Sequence, residues 1–543
     1  MDRLETFKEL RERFNFQIEG ERHKFIHKLY PLVRDWIEAV PNHRDIFREG
    51  EIESLLNTIH TDKDMLRNDF QKSEVIRFLA RTGYRDEPKV GEDGEPLLRR
   101  TTVMHRAARN GNVLGSIRNL FQIFNRFDAN YVDEDGVTHF HIACQYGCDD
   151  FVEKFLDLGW VDLNACPVSR TGNSPLHLAL ENHPGRFRVA ALLLSRGADP
   201  NSTNLKGSTP LHLLRESWND DSPFFRIVDE LNLSVHIDAR DELGRTPLHL
   251  AMHHGRKKKV ESLLRRGANP NLATVHGFTP LHLACVGSCD PIGVIKLFFE
   301  VNNELNRLVE VDARSTRGRT PLYYAVVKIF PHTANELLDR GADPFGFVFP
   351  TEKDFDYFHH IRIEHDYRFK YDLVSRALAV IDILERRGRE LYRSEALIVM
   401  KFFAKRGLFE KSGHLEPNWY EDEEFASKAK EVTVEANLSL YDLMRLQPRE
   451  VDKLYTSTNF FEFFVRSEEG VPQLRQLSEE SREACIMHLW DKMSRRFFRD
   501  WALEPFWELI HFRLPILCCE MVIDNLTNQD LCNIFLAAFG QSS

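Results

Sequence analysis

Cysteine is scarce in this 543-residue chain: there are nine, an odd number, many of them inside helical patterns. That usage excludes a disulfide framework and leads us to expect the reduced thiols of a cytoplasmic or nuclear protein. Long apolar runs are missing too. No segment approaches the roughly 18 apolar residues that span a bilayer, and the opening MDRLETFKELRERF is charged and amphipathic, without the apolar core of a secretory signal. An excess of positive charge is also absent. The 72 Lys and Arg against 83 Asp and Glu leave a net charge of -11, so no general attraction to nucleic acid or to a membrane surface is expected. Walker loop, GxSxG elbow and dinucleotide fingerprint are all lacking. The expectation is a non-catalytic chain without a cofactor.

What is present is a repeat. SPLHLAL starts at Ser174, TPLHLLR at Thr209, TPLHLAM at Thr246, TPLHLAC at Thr279 and TPLYYAV at Thr320. Weaker copies, TVMHRAA at Thr102 and THFHIAC at Thr138, precede them, so the starts step by 36, 36, 35, 37, 33 and 41 residues. A second element, RGADPN or RGANPN, recurs at Asn201 and Asn271, with RGADPF at Phe345.

The copy from Asp241 to Asn271 shows why this spelling folds. Thr246 stands where a hydroxyl caps the first free amides of a helix, and Pro247 fills the first helical position, where its missing N–H is harmless. Leu248, Leu250 and Ala251 form one packing face and Val260, Leu263 and Leu264 a second. Gly255 and Gly267 suit the left-handed residue that ends each helix. The His249 imidazole is expected to tie the turn together. A unit this small cannot close a core alone, so neighbouring copies must stack.

In period and wording the segment from about Thr101 to Phe345 resembles ankyrin-repeat proteins. The copy at Thr209 departs from the pattern, running on as LLRESWNDDSPFF without the small residue and glycine that end a first helix, and the copy at Thr279 has a longer connection. The resemblance implies an array that holds a protein target on its hairpin tips and first-helix face. At matching positions it nominates Leu205, Lys206, Glu242, Leu243, Arg245, His253, His254, Val275, His276, Phe278, Arg317 and Arg319.

The flanks read as helical. Phe25, Leu29, Leu32, Val33 and Ile37, then Ile52, Leu55, Leu56 and Ile59, make apolar stripes before the array. After it, DLVSRALAVIDILERRG and SEALIVMKFFAKRG are helices ending at Gly388 and Gly407. The last part, FRLPILCCEMVIDNLTNQDLCNIF, is unusually apolar. Leu514, Leu517, Cys518, Met521, Val522 and Leu526 fall at helical spacing, and Leu531, Ile534, Phe535, Ala538 and Phe539 form a second stripe. So short a helix pair must dock on something.

The spelling LPILCCEMVIDNLTNQDL resembles an F-box at Leu514, Pro515, Ile523, Leu526, Asp530 and Leu531. Placed after ankyrin-like repeats, it is similar to the PRANC family of poxviruses, intracellular bacteria and parasitoid wasps, which implies a role in host–pathogen interaction. That likeness implies contact between those six residues and the cullin-1 adaptor of an SCF-type ubiquitin ligase. Only 12 residues follow Leu531, too few for a full third F-box helix.

The expected organisation is all-α: a helical cap over 1–100, a solenoid of about seven repeats over 101–345, a helical region over 346–510 and an F-box-like end over 511–543. His139, His141, Cys144 and Cys148, like Cys285 with Cys289, occupy ordinary repeat positions, and the FHHIRIEH histidines lack the HExxH pattern, so no metal is expected. Two functions fit: a receptor that holds a target and recruits the ligase, or a scaffold or stoichiometric inhibitor that sequesters a signalling protein.

Overall fold

A computed structural model describes residues 3–540 apart from 35, 37–39, 62–68, 93–95, 111–113, 167–170, 182–186, 215–222, 288–289, 360–366, 407–422, 436–437, 455, 457 and 459–478. The chain divides into two compact units, Met1–Leu250 with Lys258–Asn269, and Ala251–Lys257 with Pro270–Ser543. Ile37, Cys289, His360, His365 and Gly407 lie outside the described residues.

In the first unit, Phe25, Leu29 and Val33 of the helix Glu19–Val33 are buried, with Phe7 packed on Phe25, Phe47 and Phe78 at centroid separations of 5.6 to 6.1 Å. Leu32 is only half-buried, and Ile26 takes a core place instead. Helix Asp69–Arg81 leads to the repeats, where Asn119 donates to the Ser73 carbonyl at 3.3 Å.

Seven short helix pairs then follow the seven motif copies, from Val103–Arg109 with Leu114–Ile123 to Pro321–Val327 with Pro331–Asp339. Within a pair both helices bury one stripe, as the alternation of apolar and polar residues requires. Gly255 (φ 64°) and Gly267 (φ 101°) adopt the left-handed conformation that stops a helix without a side-chain clash.

The irregular copy at Thr209 has its own solution. Its first helix, Pro210–Leu213, has only four residues, so its last carbonyls lack intrahelical donors. Lys259, from the later helix Lys257–Arg265, is 2% exposed and donates Nζ to the carbonyls of Leu211 (2.9 Å) and Leu214 (3.0 Å). Within the basic run RKKK, 256–259, Lys259 is therefore an internal cap. Lys259→Met is expected to destabilise this unit by about 2 kcal/mol, since it leaves buried carbonyls without donors. Urea denaturation of the full chain checks it, and an unchanged midpoint would show the carbonyls satisfied elsewhere.

In the second unit, after Pro331–Asp339, helix Glu352–Phe358 is capped by Thr351, which accepts from the Asp354 amide. Helices Tyr367–Arg386 and Arg393–Lys405 follow, the first stopped at Gly388 (φ 82°). Arg389 and Glu395 pair within the fold at 2.8 Å. A small ribbon pairs Thr433–Glu435 antiparallel with Leu438–Ser439 and joins a cluster around Leu440, Met444, Cys485 and Leu489. The long helix Glu479–Leu509 then carries the last two described helices, Ile516–Asp524 and Asn528–Gly540.

Candidate protein-interaction surfaces

Six of the seven copies carry the motif histidine, and the copy at Thr320 has Tyr323 in its place. In the copy at Ser174, the Ser174 amide donates to His177 Nδ1 (3.3 Å) while His177 Nε2 donates to the Ser208 carbonyl of the next hairpin (2.8 Å). His212 links Thr209 to the Arg245 carbonyl in the same way, and His282 links Thr279 to the Arg319 carbonyl, each at 3.0 Å. One nitrogen accepts and the other donates, so the ring is neutral. Burial pushes all three imidazoles down to about 4, against the weaker opposing pull of their carbonyl partners. Backbone rungs align neighbouring tips: Leu205 N–H on Thr171 and Glu242 N–H on Lys206 in the first unit, and Thr316 N–H on His276 in the second, all at 3.0 Å.

These locks leave most nominated residues facing outward. Leu205, Lys206, Glu242 and Leu243 are exposed on the first unit, and His254, Val275, His276 and Arg317 on the second. The other four are half-buried and have internal partners. Arg245 pairs with Asp241 (2.7 Å), His253 Nδ1 lies 3.2 Å from the Leu283 carbonyl, and Phe278 packs on Tyr324 at 5.4 Å. Arg319 pairs with Asp354 at 2.9 Å and lies over the Tyr323 ring.

The C-terminal helix pair is two-faced. Cys519, Ile523, Leu531, Cys532 and Phe535 are buried, with Phe535 against Trp501 at 6.0 Å. Beneath the helix end, the buried Arg495 donates to the Ile523 (2.7 Å) and Asp524 (3.1 Å) carbonyls and to Asn528 Oδ1 (3.1 Å). Asn528 in turn donates to the Asp491 carbonyl at 2.7 Å. The opposite face is open: Leu517 and Met521 are each 69% exposed and Phe512 59%, with Leu514, Ile516, Cys518 and Val522 beside them. His511 and Phe512 both have positive φ, 56° and 58°, a costly backbone for bulky residues. Trp507 holds that turn by an edge contact to Phe512 (4.7 Å) and by donating to the Leu514 carbonyl (2.9 Å).

Of the six F-box-like positions, the structure exposes Leu514 and Pro515, half-buries Leu526 and buries Ile523 and Leu531. Asp530 is exposed, but its carboxylate accepts from the Thr527 amide (2.9 Å) and hydroxyl (2.6 Å) as a helix cap. Sequence reasoning missed Phe512 and Ile516. A signal existed in ILCCEMVID, which is apolar nearly all round, so a helix docked on one side must still show an apolar back.

Elsewhere, His139 Nε2 meets Thr102 Oγ1 at 2.8 Å, and Cys144 and Cys148 are buried thiols. Among the described residues no group of three His, Cys, Asp or Glu could hold a metal ion, and no helix is long and apolar enough to cross a membrane.

Comparison with known proteins locates the repeats. The family described as Ankyrin repeats (3 copies) matches residues 104–204 and 221–307. The human transient receptor potential cation channel subfamily A member 1 is 28% identical over 285 residues, 51% of this chain and 24% of that protein. The chicken (Gallus gallus) nuclear factor NF-kappa-B p105 subunit is 33% identical over 149 residues, 27% of this chain and 14% of its own length. The chain thus spans less than a quarter of either relative. Among solved structures, the ankyrin repeat domain of Bcl-3 has a TM-score of 0.32 at 25% identity, covering 39% of this chain and 89% of that one. The family match places ankyrin repeats in the central part of this all-α chain.

Proposed function

We propose that the protein is a substrate receptor: its array, taken as residues 101–345, holds a protein target, and its C-terminal end, 511–543, recruits the cullin-1 adaptor of an SCF-type ubiquitin ligase. The observation that carries this reading is the open apolar row of Ile516, Leu517, Met521 and Val522 on a helix already anchored by its other side, continued by Phe512 and Leu514 in the turn before it. Such a row suits a helix-in-groove contact. Tethering target and ligase on one chain raises the local concentration of the target and needs no chemistry from the chain itself. The contact falls on the outer face, so Leu514 and Pro515 keep the adaptor role while Ile523 and Leu531 hold the helix in place.

Leu517→Glu with Met521→Glu is expected to weaken adaptor binding at least about 30-fold, since charges at the centre of an apolar contact remove its hot spots. Co-purification of the adaptor with the unaltered chain and with this variant, both checked for helicity, tests it. An adaptor that fails to bind the unaltered chain, or binds the variant equally, sinks the ligase reading. The scaffold or inhibitor reading then stands, favoured by the burial of Ile523, Leu531 and Phe535 in the chain's own core.

A further inference from the structure

We infer that the tips of the second unit form a docking surface for an acidic, extended peptide segment carrying an aliphatic side chain. The inference rests on the proposal that the array holds a target, and names the chemistry of that target. Three neighbouring fingers make the surface. Thr316 N–H on the His276 carbonyl (3.0 Å) sets the first two side by side, and the Arg314 guanidinium on the Gly346 carbonyl (2.7 Å) joins the third.

The charge on the first two of these fingers runs against that of the chain, whereas the third, 342–350, adds the exposed Asp343. The protein as a whole carries -11, yet the segments 272–280 and 313–320 contain Arg314, Arg317 and Arg319 and no Asp or Glu. Arg319 is neutralised by Asp354 (2.9 Å), which borders the surface from the next helix. Arg314 and Arg317 are both exposed, and among the described residues neither lies within ion-pair distance of a carboxylate. Beside them Val275 is 57% and Val348 74% exposed. Two cations without carboxylate partners, flanked by aliphatic side chains on adjacent tips, match a strand-like segment that alternates acidic and aliphatic residues. Backbone rungs fix the spacing, so little ordering entropy is lost on binding.

The test is selection of a randomised 12-residue displayed peptide library on the full chain carrying Leu517→Glu with Met521→Glu, the pair of substitutions that disables the C-terminal face. The recovered pool is expected to be enriched in Asp and Glu with an aliphatic residue between them. Its binding should fall about fivefold or more with Arg317→Glu and Arg314→Gln, and weaken with salt. Circular dichroism checks that the variant stays folded. A pool without acidic enrichment, or one that binds the variant equally well, overturns the acidic class while leaving the array a target holder. No enrichment over a carrier control overturns both.

Discussion

Between pH 7.5 and pH 5.5 the first unit is expected to lose about 3 kcal/mol of stability, through the histidines that lock its tips. His177 and His212 titrate at about 4 in the fold because burial disfavours their charged form. In the unfolded chain they titrate near 6.5. The unfolded chain therefore takes up protons first, so stability falls as the pH drops through 6.5, and the loss is complete near 4. Two pH units across that window cost about 1.4 kcal/mol for each ring. His105, His139 and His141 are lowered by the same burial and act in the same direction.

The lock explains why protonation is so unwelcome. Nδ1 already accepts the amide of the capping residue, so a proton there would face a donor. In the second unit burial lowers His282 but raises the carboxyl of Asp290, which opposes the effect, so the first unit gives the cleaner readout. Hydrogen exchange of the full chain at both pH values, followed in Pro175–Glu181 and Pro210–Leu213, measures it. Equal protection, after correction for intrinsic exchange, would refute the lock as the origin of acid sensitivity.

Arg495→Leu is expected to release the C-terminal helix pair, at a cost of about 4 kcal/mol. The guanidinium is 8% exposed and satisfies two carbonyls at the end of Ile516–Asp524 together with the side chain of Asn528. Its loss takes the donor from Asn528 Oδ1 and from the half-buried Asp524 carbonyl, each worth about 1 to 3 kcal/mol, while the Ile523 carbonyl keeps the Leu526 amide at 3.1 Å. Leucine recovers part of that through apolar contact. Arg499, which holds Asp524 at 2.9 Å from nearer the surface, cannot reach the same carbonyls and serves as the control. Arg499→Leu is expected to cost about 1 kcal/mol or less. Exchange protection over Ile516–Gly540 lost in the first variant and retained in the second bears this out. Retained protection in both would mean that apolar packing of Ile523, Leu531 and Phe535 suffices.

The same physics recurs at three helix ends. Lys259 caps Leu211 and Leu214 across 48 and 45 residues, Lys492 caps Leu446 across 46, and Arg495 caps Ile523 across 28. None of these ends carries a local glycine stop. The sequence announces the omission, as in LLRESWNDDSPFF, but a donor that far along the chain leaves no periodic signal. Nothing in the spelling RKKK therefore marks its last lysine as internal.

By itself the sequence determined the repeat: its period, the capping hydroxyls, the proline that starts the first helix in five of the seven copies, the glycine stops and the histidine that ties the turn. Caps, prolines and glycine stops are short-range consequences of backbone hydrogen bonding, complete within about one turn of chain, while the histidine also reaches a carbonyl of the next hairpin, as His177 does at Ser208. Only the tertiary structure decided which side of the C-terminal helices faces out. ILCCEMVID is apolar on nearly every side, so spacing alone cannot rank Leu517 against Ile523. Docking on Glu479–Leu509, fixed by Arg495 from elsewhere in the chain, sends Ile523 inward and leaves Leu517 in water. Tip charge divides in the same way: the residues were legible, but whether Arg319 or Arg317 kept an uncompensated charge depended on where Asp354 came to lie.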